Sequence, residues 1–414
     1  MTMKTEYDIV IIGGGLVGAS LACALGGQDL SVAVIEAVPL SDSRQPSYND
    51  RTVALAYGSR RIFDGIGIWD DIEQRGIAAI KKIHVSDRGH LGKTRLDCVD
   101  QNLDALGYVV DTRLLGAALA EKLASFDNID VLCPASLVSM QTDSDQAEVA
   151  IEYNDEQLTL QTQLIVGADG VQSAVREQAS IASMQFEYAQ TAIIANVSTE
   201  RPHCNIAYER FTDTGPLAVL PMPDGDNEHR VSIVWTLKDS QVEAIQALSD
   251  EDFLDALQSR FGHHLGRFTR TGERFTFPLT LRRAKEHVRE RLALIGNAAH
   301  TVHPIAGQGF NLGLRDVAVL AQVLVETQTG NRDIGALENL QAYADWRKRD
   351  QWRVIGFTDS MVRLFSNSVT PLALARNIGL VATDILPPLK RLITRQAMGL
   401  SGKLPRLARG LQLK

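Results

Sequence analysis

The chain is short of aromatics, of cysteine and of net positive charge, and each shortage removes a class of function. Aromatics are 6% of 414 residues, too few for rows of base-stacking platforms. Acids outnumber Lys and Arg by 50 to 42, a formal charge of -8, which argues against the basic face of a nucleic-acid binder. The four cysteines, Cys23, Cys98, Cys133 and Cys204, form no C-x-x-C pair and have no histidine at zinc-ligand spacing. No metal site is therefore expected, and a reducing, cytoplasmic setting fits. No stretch of about 20 uncharged apolar residues occurs, so no transmembrane helix is expected. Ile9–Leu25 is apolar and follows Lys4, but Glu6 and Asp8 spoil the positive start of a signal peptide. Fixed-period repeats, a serine–histidine–acid triad and H-E-x-x-H are all missing, so hydrolase readings find no support.

What is present is a globular composition, 45% hydrophobic and 22% charged, in a chain long enough for two or more domains. Three glycine-bearing segments organise it. In the first, Tyr7–Ile12 reads as a buried parallel strand and Leu16–Leu25 as a helix, with G-x-G-x-x-G on Gly13, Gly15 and Gly18 between them. Gly13 permits the tight turn, Gly15 leaves room for a pyrophosphate, and Gly18 lets helix and strand approach. The helix N-terminus offers N–H groups and a positive dipole end to phosphate. A second strand, Ser31–Ile35, ends at Glu36, where a carboxylate accepts bonds from a ribose or simply closes a solvated strand end. That acid repels a 2′-phosphate, leaving FAD or NAD.

The second segment is the strand Leu164–Val166 followed by Gly167-Ala168-Asp169-Gly170 and a helix start at Ser173 to Arg176, which Asp169 is equally placed to cap. The third is the strand Arg291–Ile295, then Gly296-Asn297-Ala298-Ala299-His300, Pro304, Gly307-Gln308-Gly309 and Asn311 leading a helix from about Phe310 to Val325. Three such turns in this order point to one FAD stretched across a domain assembled from distant pieces of chain. There is no second G-x-G-x-x-G, so a nicotinamide cofactor would visit rather than reside.

These segments resemble the group A flavoprotein aromatic hydroxylases, the relatives of para-hydroxybenzoate hydroxylase. The stretch His300–Gly313 resembles the signature of the ubiquinone-biosynthesis hydroxylases. His84–His90, Glu209–Thr212 with Gly215–Ala218, and Leu220–Met222 resemble the members that act on 2-polyprenyl-6-methoxyphenol. The resemblance implies FAD held by Gly13, Gly15, Gly18, Glu36, Arg51, Arg113, Asp169, Gly170, Asn297, Gly307, Gly309 and Asn311, with Pro304 beside the flavin ring. It implies NAD(P)H as a transient reductant, O2 as co-substrate, and hydroxylation of the phenol to a 1,4-benzoquinol. Asn297 departs from the family's aspartate; its amide oxygen still accepts a ribityl hydroxyl but brings no charge. His303, His300 and Arg51 are candidates to favour the phenolate, with Arg210 and His84 weaker ones.

The implied architecture is α/β: a Rossmann-like FAD-binding domain with an inserted β-sheet substrate domain and a helical C-terminus. The boundaries are 1–75, 100–180 and 285–330 for the discontinuous FAD domain, 76–99 and 181–284 for the substrate domain, and 331–414 for the helical region and tail. Strands are expected at Thr191–Val197, Gly215–Pro221, Arg230–Leu237 and Phe275–Leu281, and a helix at Tyr343–Phe365. Phe211, Leu220, Met222, Trp235 and Phe277 line a pocket or form plain core. Beyond Asp384 come Lys390, Arg391, Arg395, Lys403, Arg406, Arg409 and Lys414, interleaved with leucines and with no acid. This basic tail is expected to touch anionic lipid or to meet a partner. The polyprenylated phenol is the expected partner molecule. A ubiquinone-biosynthesis protein complex is a further expected partner, and the alternatives are a hydroxylase of another ring position in the same pathway or a flavin-retaining assembly subunit of that complex.

Overall fold

The computed structural model describes residues 4–38, 51–225, 228–302, 307–365 and 370–413. His303 and Pro304, both expected near the reaction, lie outside these described residues.

Strand Glu6–Ile12 is buried on both faces, as its continuous β-branched sequence requires. Ile9 and Ile11 enter one core and Val10 and Ile12 another. It sits inside a parallel array running Leu292–Leu294, Glu156–Gly167, Glu6–Ile12, Val32–Ile35, Ile129–Leu132. Helices Leu16–Leu25, Thr112–Leu123 and Gln308–Thr329 pack on the face carrying Ile9 and Ile11. The antiparallel strands Ala135–Thr142 and Ala147–Tyr153 extend the sheet and fill the core of the other face.

A second, mostly antiparallel sheet has nine strands among the described residues, ordered His300–Thr301, Phe275–Ala284, Ser183–Thr199, His229–Lys238, Gly215–Pro221, Ile206–Thr212, Lys82–Asp87, Lys93–Asp97, with Phe268–Thr271 beside Ser183–Thr199. Its core centres on Trp235, Phe253, Leu257 and Phe261. A three-stranded sheet, Thr52–Ala56, Gly107–Asp111 and Ile77–Ile80, bridges the two. Residues 292–301 pass from an edge of the parallel array, Gly167 beside Leu294, to an edge of the second sheet, Arg282 beside Thr301. The third glycine segment therefore straddles both.

After Gly330 the chain is helical at Leu337–Phe365, Thr370–Ile385 and Pro387–Ala397. Part of the basic tail folds back onto the protein. Leu407, Ala408 and Leu413 are buried in the core under the 308–329 helix, and Trp346 Nε1 donates to the Lys403 carbonyl at 2.9 Å. Those apolar side chains are consumed by the protein.

Candidate functional site

The three glycine segments meet at the carboxyl ends of the parallel strands, where Ile12 registers with both Gly167 and Ile35. Gly13 takes φ +102°, and a Cβ there would stand 2.6 Å from the Ala168 carbonyl oxygen. A Cβ on Gly18 would stand 1.9 Å from the Gly13 oxygen, so the first turn closes only with hydrogen at both positions. Val17 of the first segment packs under Gly296 and Gly313 of the third. Arg176 ties the second to the third, donating to the carbonyls of Val171 at 2.7 Å and Ala298 at 2.8 Å. Burial lowers the pKa of this guanidinium below the usual arginine range.

The polar groups around these turns are of two kinds. Some are fixed: Glu36 accepts from Gly14 N–H at 2.7 Å and Val38 N–H at 2.9 Å. Asn311 is buried and uses its whole amide on protein, accepting from Ala56 N–H and Ser59 Oγ and donating to the Ala54 and Gly307 carbonyls. It therefore joins the 308–329 helix to strand Thr52–Ala56. Others stand ready for a ligand. Asp169 caps the 174–178 helix through one oxygen, at 3.0 Å from Val175 N, while the other is buried with no hydrogen-bond partner among the described residues. Among the described residues a Cβ on Gly170 would meet nothing within 4 Å and one on Gly309 only Val302 Cγ2 at 4.0 Å, and Asn297 is exposed.

Two helix N-termini converge here, with no side-chain cap or first-turn acid among the described residues. Helix Leu16–Leu25 starts after Gly15, and helix Gln308–Thr329 after Gly307. Their N–H groups and positive dipole ends suit anionic groups. The residues thus fit an extended dinucleotide: uncapped N-termini for its charges, a carboxylate at the second strand end, an orphaned acceptor on Asp169, and glycines where a Cβ would obstruct.

Arg51 and Arg113 line a cleft of about 440 Å³ between the three-stranded sheet and the second sheet. Arg75, Arg230 and Arg270 also line it, against Asp111 and Glu273, so it favours anions. The Arg51 guanidinium lies over Phe277 at 4.9 Å from the ring centroid, and burial lowers its pKa. Met222 lines the cleft, whereas Phe211 and Trp235 are 1% exposed, and Trp235 packs against Phe253 as core. Arg113 is held at its backbone by Asp111.

The sequence pointed to the third segment but not to what stands behind it. Asp316, fully buried, accepts from Gly296 N–H at 2.9 Å; His300 Nε2 lies 2.7 Å from the same oxygen, and Arg347 Nε donates to the other at 2.7 Å. Arg347 also bonds Asp350, which holds Arg315. Burial would raise the Asp316 pKa, but His300 and Arg347 together hold it well below the usual carboxylate range. His300 is thereby a buried partner of Asp316 and does not line the cleft. His287 is next to it, its pKa pushed down to about 3 by burial and by His300. Arg347, Asp350 and Gln351 lie in a helix whose charged sequence reads as solvated. An arginine–aspartate pair inside the apolar stretch after Gly313 was the available signal.

A family model described as FAD binding domain matches residues 6–358. The ubiquinone hydroxylase UbiL of Rhodospirillum rubrum is 41% identical over 411 residues, covering 98% of this chain and 93% of that protein. The mitochondrial ubiquinone biosynthesis monooxygenase COQ6 of Mus musculus is 33% identical, covering 94% and 90%. Among solved structures, p-nitrophenol 4-monooxygenase PnpA from Pseudomonas putida shares the fold, with a TM-score of 0.79 at 19% identity over 97% of this chain and all of that one.

Proposed function

The chain belongs to the FAD-binding-domain family, in its branch of ubiquinone-biosynthesis hydroxylases, and from that footing we propose that it hydroxylates 2-polyprenyl-6-methoxyphenol to the 1,4-benzoquinol with NAD(P)H and O2. It is an FAD-dependent aromatic monooxygenase. The observation that supports flavin-dependent hydroxylation is the convergence of three glycine turns and two helix N-termini beside an arginine-lined cleft between two sheets.

When bound, the flavin supplies electron transfer from the nicotinamide and activation of O2. The chain does the rest. Gly13, Gly15 and Gly18 with the 16–25 helix hold the pyrophosphate, and Glu36 the ribose. Asp169, Gly170 and Asn297 hold the middle of the cofactor, where asparagine accepts a ribityl hydroxyl without a charge. Gly307 and Gly309 would let the 308–329 helix end approach the flavin, whose negative charge the helix dipole would stabilise. Asn311 acts through the backbone it ties. Arg51 and Arg113 would contact FAD from the cleft, and the positive field there favours phenolate. His303 for proton transfer and Pro304 beside the ring rest on the resemblance. The functional division follows the same lines: 1–75, 100–180 and 285–330 hold FAD, 76–99 and 181–284 cover the substrate, and 331–414 supports them. The C-terminal helical region rests on the membrane that holds a polyprenyl substrate, within reach of other proteins of the pathway.

The test is metabolite analysis of a deletion strain together with turnover by purified, flavin-loaded protein. Accumulation of the 6-methoxyphenol, and its conversion to the quinol in vitro, are expected. Accumulation of a precursor blocked at another ring position would move the activity there. NAD(P)H oxidation with no aromatic product would favour the assembly-subunit alternative.

A further inference from the structure

The hairpin between strands Lys82–Asp87 and Lys93–Asp97 leans on helix Thr370–Ile385. Gly92 N–H donates to Asn377 Oδ1 at 2.9 Å, Thr94 Oγ1 to the Leu380 carbonyl at 2.7 Å, and Arg95 N–H to Asp384 at 2.9 Å. These bonds fix which side of the helix faces inward. The outward side is apolar: Ile378, Val381 and Ile385 recur at i, i+3 and i+7, the spacing of one helical face, and are 59%, 41% and 68% exposed. Leu386, at the corner into helix Pro387–Ala397, and Leu392 continue the row. At its other end the hairpin tip sets Leu91, 96% exposed, beside Asn377. Large aliphatics contiguous on a surface mark a place that something covers.

The surrounding charge identifies the cover. The nearby acids each face a protein cation: Asp97 with Lys82, Asp100 with Lys390, Asp384 with Arg95. Arg391, Arg395 and Lys93 are exposed along the row, in a chain whose overall charge is negative. A two-fold pairing with a second copy would bring these like charges together. A protruding aliphatic tip, an apolar helical stripe and a basic rim together match an anionic bilayer, with apolar side chains below the headgroups and cations among them. We propose that this surface, built from the 88–92 hairpin tip and the outer faces of the last two long helices, is where the protein seats on an anionic membrane. It locates the membrane contact inferred above and rests on it. Within the extreme C-terminus Leu407 and Leu413 are buried and only Leu411 is exposed, so that segment offers no comparable apolar row.

The experiment is co-sedimentation of the flavin-loaded full chain with vesicles of phosphatidylglycerol and phosphatidylcholine, without substrate. The parent is expected to bind, less at high salt. Leu91→Glu with Ile385→Glu should weaken binding at least about tenfold, and Arg391→Gln with Arg395→Gln by a similar factor, all with flavin absorbance retained because these side chains are exposed. Charge reversal at Arg406 and Arg409 should change binding little. A soluble parent that does not sediment with the vesicles would overturn the membrane contact altogether. Parent binding that survives both sets of substitutions would overturn this location alone. A dimer in solution that the Leu91 and Ile385 substitutions dissociate would assign the surface to a second copy and refute the proposal. Turnover of a detergent-dispersed phenol is measured separately and reports on the reaction, not on this surface.

Discussion

Glycines at the site do two different jobs, and substitution separates them. Gly18→Ala forces a Cβ to within 1.9 Å of the Gly13 oxygen, so the turn must open. Loss of several kcal/mol of stability and of bound flavin is expected, read by thermal denaturation and absorbance near 450 nm. At Gly309 a Cβ has open space, so Gly309→Ala should leave the apoprotein melting within about 0.5 kcal/mol of the parent while weakening flavin binding in a titration. A second residue-scale prediction concerns pH. His287 is held neutral, its pKa near 3 against an unfolded value of 6.5. The unfolded chain therefore binds the extra proton first, and stability is intact above about pH 6.5 and falls as pH drops toward 3. By pH 5 the loss is about 2 kcal/mol. His287→Gln should flatten the fall in melting temperature between pH 6.5 and 5, before the carboxylates begin to titrate.

Among the elements, the pairing of helices Gln308–Thr329 and Leu337–Phe365 rests on buried charge. Removing one partner of such a pair leaves the other uncompensated. Arg347→Met is expected to cost about 3–5 kcal/mol in denaturant unfolding and to loosen flavin, because Asp316 also holds Gly296. Much at this scale was legible. Helix Leu16–Leu25 and strand Gly215–Pro221 follow directly from the glycines and prolines that bound their apolar runs. The strand Glu156–Gly167 starts well before its apolar end, because its earlier residues face solvent on one side and read as polar. Helix Asp250–Phe261 went unread although Ser249 with Asp252 three residues on is a start signal, and the structure has Ser249 accepting from Asp252 N–H. The buried role of Arg347 was not legible at all, since a helical sequence does not state which of its charges will be covered.

For the whole molecule, motif order revealed that distant segments share one cofactor, but not how two sheets are stitched. Arg51 follows the first nucleotide-binding half, Phe277 lies in the second sheet, and their contact at 4.9 Å closes the cleft. Phe277→Ala should keep FAD but admit water, raising hydrogen peroxide formed per NAD(P)H oxidised by roughly fivefold, for about 1 kcal/mol of lost cation–π contact.

The crossing of residues 292–301 between sheets also sets a timetable for biosynthesis. Until the ribosome has released the chain through about residue 329, the parallel array lacks its Leu292–Leu294 edge and the helix that roofs its core. The nascent protein therefore has nowhere to lodge its prosthetic group. Loading must follow synthesis of most of the polypeptide, and a product arrested earlier would emerge colourless and prone to clump.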